Sequence, residues 1–365
     1  MYDIAIIGAG PAGATLARLL GYRYRILQID RRTLTEPYLG GPGNKCCGGL
    51  LAPDAQKILG MMSLALPQQV IVGPQLFVVR TIDLQQERER YYQRFYINLD
   101  REKFDHWLFS LIPPSVDVRT PALCKDIRQE GNHYTLDVVE QGKRYSEKAR
   151  LVIGADGAGS IVRKRFFPQD HNVVMYSAIQ EWFAVKEVPP HFSVFFDSSL
   201  SDFYGWSIPK EESLLVGAAL APRQQATLTF NRLKEKLIAY GYPLHTPQKK
   251  EGALIARPRR APRFVADAAG VALIGEAAGW ISPSSAEGFS YAFRSALIAA
   301  TCLEAGIAGF TARYQKETAV LRRNIVMKNL KLPFMYQPWL RRIVMDLGIE
   351  AVNIMPVHNL PKIDI

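Results

Sequence analysis

Two adjacent cysteines, Cys46 and Cys47, stand in the segment NKCCGGL at residues 44–50, and two glycines follow them directly. Thiols in so flexible a turn could ligate a metal, form a disulfide, or react as a nucleophile or proton donor. They could equally be small side chains that fill a tight turn. The local sequence leaves these alternatives open, so the choice depends on the rest of the chain.

The spacing of the pair disfavours a metal site and a disulfide. Side chains of adjacent residues project apart, and no C-x-x-C or paired histidine accompanies the cysteines, so we expect no metal site. A disulfide between chain neighbours would close a strained ring. The other cysteines, Cys124 and Cys302, are isolated, and from the opening residues MYDIAIIGAG we expect no secretion signal. Reduced thiols in the cytoplasm are therefore expected.

A glycine-rich turn near the start of the chain predicts a nucleotide site. An apolar run at Asp3–Ile7 predicts a buried strand, and the following GAGPAG matches G-x-G-x-x-G. The first glycine permits the tight turn, the second lets a pyrophosphate approach, and the third lets the next helix pack closely. A second apolar run ends in an acid that can bind ribose hydroxyls. Contacts with the cofactor are predicted for Gly8, Gly10, Pro11, Ala12, Gly13, Asp30 and Arg31.

Two later segments repeat the transition from a strand to small residues. GADGAGS at 154–160 follows an apolar run, with Arg163 beyond it, and GEAAG at 275–279 follows another. The second of these leads to a helix predicted from about Phe289. Three such junctions spread over the chain indicate one long cofactor that is held in several places.

These three segments resemble those of the glutathione-reductase-type FAD proteins related to para-hydroxybenzoate hydroxylase. More narrowly, the chain resembles the geranylgeranyl reductase family. KCCGG is similar to that family's K-P-C-G-G turn, and DFYGWSIP at 202–209 is similar to its Y-x-W-x-F-P motif. The run CGGLLAPDAQ at 47–56 is similar to the CbrA-type bacterial flavoproteins within it. The resemblance implies an α/β fold: an FAD-binding Rossmann-like domain, an inserted mixed β-sheet substrate domain and a C-terminal helical segment.

The resemblance also implies roles for individual residues. Cys47 matches the family's cysteine beside the flavin, where Lys45 would lower its pKa. With Tyr204 and Trp206, which share one face of a predicted strand, it forms the candidate catalytic set. Packing remains the alternative for each. The further FAD contacts implied are Cys47, Gly48, Gly49, Arg101, Asp156, Gly275, Glu276, Pro283, Glu287, Gly288 and Phe289.

The chain departs from the family pattern at three places. Cys46 replaces a proline, and Glu276 replaces an aspartate that holds a ribityl hydroxyl, a bond that glutamate can also accept. Ala286-Glu287-Gly288 replaces a Gly-Gly-Gly turn whose backbone N–H groups face the flavin carbonyl oxygen. A carboxylate pointing inward there would disfavour an anionic reduced flavin, so we expect Glu287 to point outward.

The expected domain organisation follows from this fold. Strand-like runs appear at 85–100 and at 172–220, and Asp100 is predicted to cap a helix that begins with Arg101. The predicted FAD domain comprises 1–84, 101–171 and 250–310; the substrate domain comprises 85–100 and 172–249; and 311–365 is the C-terminal helical segment.

The net charge of +11 favours an anionic partner, although no nucleic-acid motif accompanies it. Residues 321–342 contain six cations, apolar residues and no acid, and Pro333 and Pro338 are expected to break them into short helices. Such an element suits peripheral contact with an anionic membrane at the cytoplasmic face; an ordinary pair of surface helices is the alternative. The basic residues 257–263 either extend the same face or are solvated.

The reaction is expected to be a flavin-dependent redox step on an apolar small molecule such as a lipid. Reduction of C=C bonds in an isoprenoid is the first hypothesis, and hydroxylation by a flavin monooxygenase is the second. A halogenase would carry W-x-W-x-I-P, which YGWSIP matches only in part. A non-enzymatic flavoprotein is the remaining alternative. The single glycine motif predicts that NAD(P)H or an electron carrier binds only transiently as reductant.

Overall fold

The structure is a computed structural model that describes residues 1–34, 46–168, 172–222, 225–261 and 270–353. These residues divide into two compact units. Unit 1 comprises 1–72, 99–178 and 252–332, and unit 2 comprises 73–98, 179–251 and the described residues from 333 onward. No helix within the described ranges is long and apolar enough to cross a bilayer.

The strands are β1 Tyr2–Ile7, β2 Ile26–Ile29, β3 Leu50–Leu51, β4 Leu76–Asp83, β5 Arg88–Asn98, β6 Asp117–Arg119, β7 Ala122–Glu130, β8 His133–Glu140, β9 Lys143–Gly154, β10 Val173–Ala184, β11 Phe192–Phe196, β12 Gly205–Lys210, β13 Ser213–Leu220, β14 Lys249–Pro258, β15 Val271–Leu273 and β16 Ala351–Val352. The helices are α1 Pro11–Leu20, α2 Pro53–Met61, α3 Arg101–Ser110, α4 Ile161–Phe166, α5 Ala226–Ala239, α6 Phe289–Glu304, α7 Phe310–Glu317, α8 Ala319–Tyr336 and α9 Pro338–Leu347, with short 3-10 helices at Gln68–Val70 and Gly275–Ala278.

Unit 1 is built on a sheet with the strand order β6-β2-β1-β9-β8-β7, and β15 pairs with β9. Strands β6, β2, β1, β9 and β15 run parallel to one another, whereas β8 pairs antiparallel with β9 and with β7. Ile4 and Ile6 enter a core with helices α1 and α6, while Ala5 and Ile7 enter a second core that contains Trp280. Burial on both faces explains why β1 is a continuous apolar run.

The parallel strands bring the three cofactor segments to one edge of this sheet. The glycine turn follows β1, GADGAGS follows β9, and GEAAG follows β15. Because the carboxyl ends of parallel strands meet at the same edge, the three segments become neighbours. The predicted helix starts are also confirmed: α6 begins at Phe289, and Asp100 caps α3 by accepting hydrogen bonds from two backbone N–H groups.

Unit 2 contains a sheet with the strand order β14-β10-β13-β12-β11-β4-β5-β16, in which β10 and β14 also have residues in unit 1. Helix α5 packs on one face, where Leu233 and Leu237 share a core with Phe195 and Val216. Trp206 pairs with Val194 and Gly217 across β11, β12 and β13, so these three side-chain positions lie on the opposite face.

Two features of the structure differ from the sequence-based expectation. Residues 73–84, expected in the FAD domain, lie in unit 2 because β4 pairs antiparallel with β5. The segment from 311 is divided between the units, since Leu321 and Ile325 of α8 are buried in the core of unit 1 whereas α9 belongs to unit 2.

The expectation that Pro333 ends a helix is wrong. Pro333 lies inside α8, which continues to Tyr336, and its carbonyl accepts a hydrogen bond from the backbone N–H of Gln337 at 2.9 Å. A proline near a helix end removes only one N–H donor, and three more residues complete the turn. Pro338 does mark a break, because it stands at the first turn of α9, where a missing N–H costs nothing.

Candidate functional site

The glycine turn is fixed by close packing against the second cofactor segment. Gly8 has a φ of +107°, and a Cβ placed on it would lie 2.4 Å from the carbonyl oxygen of Ala155. A Cβ on Gly13 would lie 2.0 Å from the carbonyl oxygen of Gly8. Both contacts are shorter than any real Cβ contact, so the backbone path requires glycine at both positions.

Gly10, in contrast, faces open space. A Cβ on Gly10 would have no described neighbour closer than an Arg32 nitrogen at 4.0 Å. Helix α1 starts at Pro11, and no side chain in the described part of the chain caps its N-terminus. Its first N–H groups are therefore available to an anionic group that approaches Gly10. Ala12 faces the third segment, since a Cβ on Gly275 would lie 2.9 Å from the Cβ of Ala12.

The carboxylate of Asp30 holds this turn in place. It is buried, and its Oδ2 accepts a hydrogen bond from the backbone N–H of Ala9 at 2.7 Å. It also pairs with Arg32 at 3.1 Å. The residue predicted to contact the cofactor, Arg31, is exposed, whereas Arg32 is nearly buried. Arg32 is thus the arginine that pairs with Asp30, while a cofactor contact by Arg31 and ribose binding by Asp30 stay predictions.

A buried chain of charges extends from Asp30 towards Cys47. Arg32 pairs with Asp105 at 2.8 Å, and Arg101 pairs with the other oxygen of Asp105 at 2.9 Å. Burial raises the pKa of Asp105, but the two guanidinium groups outweigh it, and the net shift is downward. Burial likewise lowers the pKa of Arg101, and Asp105 and Cys47 reverse that shift through charge and hydrogen bonding. Cys47 therefore lies at the end of the chain, beside the Arg101 guanidinium.

The turn that carries Cys47 is attached to the start of α3. The carbonyl of Gly49, which has a φ of +61°, accepts a hydrogen bond from the backbone N–H of Leu99 at 2.9 Å. Cys46 is buried, Cys47 and Gly48 are half-buried, and both cysteines are free thiols. Lys45 lies outside the described residues. Within the described ranges, no three side chains are placed to hold a metal ion.

A buried arginine links the second segment to the third. Arg163 donates hydrogen bonds to the carbonyl oxygens of Ala158 and Ala277, the latter at 3.1 Å. Asp156 accepts a hydrogen bond from the backbone N–H of Ile161 at 2.7 Å, and burial raises its pKa. Its second oxygen is buried without a hydrogen-bond partner in the described part of the chain.

The third segment is tied to β14. Gly275 and Glu276 open a 3-10 helix, and Oε1 of Glu276 accepts a hydrogen bond from the backbone N–H of Ala256 at 3.1 Å. The next residue of β14, Arg257, donates to the carbonyl of Pro283 at 2.9 Å and to the Tyr176 hydroxyl at 3.1 Å. The expectation that Arg257 belongs to a basic surface loop is wrong, because it is buried at the end of a strand.

The start of α6 carries a carboxylate of its own. Glu287 accepts hydrogen bonds from the backbone N–H of Ser290 at 2.7 Å and from its hydroxyl at 2.6 Å. Glu287 therefore caps the helix that follows Gly288. Phe289, the first residue of α6, lies beneath the Arg101 guanidinium, 4.9 Å from it to the ring centroid. This contact joins the α6 start to Cys47 through Arg101.

The comparisons with known proteins identify the family. No protein-family model matches the chain. The protein CbrA of Escherichia coli O6:H1 (strain CFT073) is 39% identical over 96% of this chain and 94% of its own length. CbrA of Shigella sonnei (strain Ss046) is also 39% identical, over 96% of this chain and 98% of its own length. The chain belongs to the CbrA family.

Solved structures show how widely the fold of this CbrA-family chain is shared. A geranylgeranyl bacteriochlorophyll reductase-like protein from Thermoplasma acidophilum matches with a TM-score of 0.76 and 20% identity, covering 95% of this chain and 99% of that one. OxyS anhydrotetracycline hydroxylase from Streptomyces rimosus matches with a TM-score of 0.66 and 18% identity, covering 95% of this chain and 73% of that one. The flavin-dependent halogenase CmlS matches with a TM-score of 0.66 and 16% identity, covering 90% of this chain and 63% of that one. The fold expected from the sequence is confirmed.

In unit 2 of the CbrA-family chain, the predicted substrate-contacting aromatics lie together. The Tyr204 and Trp206 rings have centroids 5.8 Å apart, and Phe203 lies 4.9 Å from Tyr204. Trp206 is 9% exposed, and its indole N–H has no partner within the described residues. Phe195, from the same aromatic run, lies in the core under α5.

Sequence reasoning missed several residues that organise the site. Asp105 stands four residues after Arg101 on α3, a spacing at which helical side chains meet, so the pair could have been found. Nothing in the local sequence favours Arg32 over Arg31 or reveals that Arg163 and Arg257 are buried.

Proposed function

We propose that this CbrA-family protein is an FAD-dependent oxidoreductase that reduces carbon–carbon double bonds of an apolar substrate, an isoprenoid or a similar molecule. In this proposal unit 1 binds the cofactor and unit 2 supplies the substrate-binding sheet. The observation that carries the cofactor is the open approach to Gly10 beside the uncapped start of α1. The substrate class rests on the geranylgeranyl reductase-like motifs and on the aromatic pair Tyr204 and Trp206.

The residues fit a dinucleotide. The N-terminus of α1 would bind the pyrophosphate, and Arg32, a nitrogen of which lies 4.0 Å from a Cβ placed on Gly10, would be the cation beside it. The α6 start, with Gly288 and Phe289, would border the ring system. When bound, FAD supplies hydride transfer between the reductant and the substrate. The reductant, NAD(P)H or an electron carrier, would dock only for its own half of the reaction.

In the proposed reaction, the protein supplies a proton and an apolar surface. The thiol of Cys47 would donate the proton that the second alkene carbon requires, and Arg101 would hold the sulfur in place. Tyr204 and Trp206 would orient the chain of the substrate by contact with their rings.

The proposal is tested by anaerobic reduction of the purified protein, followed by exposure to oxygen or to a prenyl alkene. Fast oxidation by the alkene with slow oxidation by oxygen supports the reductase. Rapid reaction with oxygen that hydroxylates an aromatic compound would establish the monooxygenase instead; OxyS, which shares the fold, is named a hydroxylase. A protein that binds no flavin refutes both.

The role of Cys47 is tested with Cys47→Ser, and Cys46→Pro is the matched control. If Cys47 donates the proton, the variant should keep FAD and be reduced normally. Only reoxidation by the alkene should slow, by about 10²–10⁴-fold, the usual contribution of general acid catalysis. An unchanged reoxidation rate with lowered FAD occupancy would instead assign Cys47 to packing.

A further inference from the structure

Helix α8 has one buried face and one exposed face. Its inner face is built into unit 1: Leu321 and Ile325 are fully buried, Asn324 accepts a hydrogen bond from the Tyr291 hydroxyl, and Lys328 lies over the Tyr291 ring. The inner face therefore anchors the helix through apolar packing and two polar contacts.

The outer face of α8 is apolar and exposed. Val326, Met327 and Leu330 are 46%, 57% and 64% exposed. Residues at i, i+4 and i+7 lie on one side of a helix, which places Arg323, Met327 and Leu330 in one row. Val326 and Lys331 flank this row. Three neighbouring apolar side chains in water are unfavourable unless another surface covers them.

The charges of α8 separate in the same way. Arg322 is turned inward, since it donates to the Thr318 hydroxyl and to the Gln315 carbonyl. Arg323 and Lys331 are exposed beside the apolar row. Residues 321–342 contain no acid, so no carboxylate of this stretch neutralises them. The outer face thus joins apolar side chains to two exposed cations whose own stretch of chain contains no acid.

We propose that the outer face of α8, formed by Arg323, Val326, Met327, Leu330 and Lys331, docks on the surface of an anionic lipid bilayer. The apolar row would enter the boundary between headgroups and acyl chains while the two cations contact lipid phosphates. Charge complementarity selects this occupant, because both charged residues of the face are cations and residues 321–342 contain no acid. The inference does not depend on the redox reaction proposed above.

The experiment is sedimentation of the purified full-length protein with vesicles of phosphatidylcholine alone or mixed with phosphatidylglycerol, at low and high salt. The wild type should bind the mixed vesicles at low salt and be released by salt, since surface charges are screened. Arg323→Gln/Lys331→Gln should bind about 30-fold more weakly, because each cation near an anionic surface contributes about 1 kcal/mol. Met327→Glu/Leu330→Glu should bind the mixed vesicles about tenfold more weakly or worse, because its apolar row can no longer enter the bilayer boundary.

Two matched controls change the same chemistry elsewhere on the surface. Lys143→Gln/Arg144→Gln removes two exposed cations from the hairpin at the start of β9. Leu228→Glu/Ile238→Glu introduces two carboxylates at exposed positions of α5. Both should bind vesicles nearly as well as the wild type, and thermal unfolding of each variant checks that the fold is kept.

Three results would overturn the proposal. Equal binding to neutral and mixed vesicles at low salt would remove the role of charge. Loss of binding in the control variants equal to that in the α8 variants would move the site elsewhere. A wild-type dimer that becomes monomeric with Met327→Glu/Leu330→Glu, while vesicle binding stays unchanged, would show that a second copy covers this face.

Discussion

Replacing Asp105 by asparagine should destabilise the protein more than an ordinary loss of an ion pair. Asp105 is buried between Arg32 and Arg101, which lie 2.8 and 2.9 Å from its two oxygens. Removing one partner of a buried pair costs about 3–5 kcal/mol, because the remaining charge stays buried without compensation. Arg32 keeps Asp30 as a partner, whereas Arg101 loses its carboxylate. We therefore expect about 3 kcal/mol, at the lower end of that range.

The assay is urea unfolding followed by circular dichroism, with Asp117→Asn as the matched control. Asp117 also pairs with an arginine, Arg119 at 2.6 Å, but both side chains are about one-third exposed. Such surface pairs contribute about 0–1 kcal/mol. If Asp105→Asn shifts the unfolding midpoint no further than Asp117→Asn, the charge chain does not organise the site.

The buried carboxylate of Asp105 should also make the stability of the protein depend on pH. The folded-state pKa of Asp105 is lowered, so its ionised form stabilises the fold above the ordinary aspartate pKa. This stability is lost as the pH falls through about 4 and towards the lower folded-state value. The wild type should therefore lose more stability than Asp105→Asn between neutral and acid pH. Parallel pH profiles for the two proteins would refute the assignment.

Three further outcomes are expected. Gly13→Ala should destabilise the fold by about 3 kcal/mol, measured by urea unfolding, because its Cβ would lie 2.0 Å from the Gly8 carbonyl oxygen. Gly10→Val should cost no more than about 1 kcal/mol of stability, since valine is a poorer N-cap than glycine, and should abolish FAD binding, measured by flavin fluorescence; full FAD occupancy would contradict the placement of the pyrophosphate. Arg341→Met should cost about 3–5 kcal/mol, because it leaves Asp83 buried without the partner 2.7 Å away, and Arg341→Met/Asp83→Asn should recover part of the loss.

The parts of the fold that follow from local patterns were predictable from the sequence. The strand, turn and helix around Gly8 and Gly13, the Asp100 cap and the start of α6 at Phe289 each depend on residues within one turn or one strand. Parallel pairing then brings the three cofactor segments together without further information. The sequence also predicted that Tyr204 and Trp206 lie together, and their rings do, although Tyr204 precedes β12 and does not belong to it.

The contacts that organise the candidate site depend on residues far apart in the chain. Asp105 meets Arg32 across 73 positions, and Arg163 reaches Ala277 across 114. These pairs can be predicted only when the packing of α3 and α4 is known. Neither hydrophobic periodicity nor a helix cap in the sequence indicates that packing. The choice between Arg31 and Arg32 depends on which way each side chain leaves the end of β2, and only Arg32 turns towards Asp105.

The distribution of the arginines also changes how the net charge should be understood. Composition alone assigns every cation to the surface, but Arg163 and Arg257 are buried and donate to backbone carbonyl oxygens. Arg341, counted from the sequence among the basic surface residues, is buried against Asp83. A partner can therefore meet only the exposed cations, and those in a stretch of chain without acids are the best candidates for it. Arg323 and Lys331 on α8 meet that condition, and exposed apolar side chains lie beside them. The net charge of +11 alone would point to no particular surface. The burial of the other arginines therefore makes α8 a more specific candidate for a membrane contact.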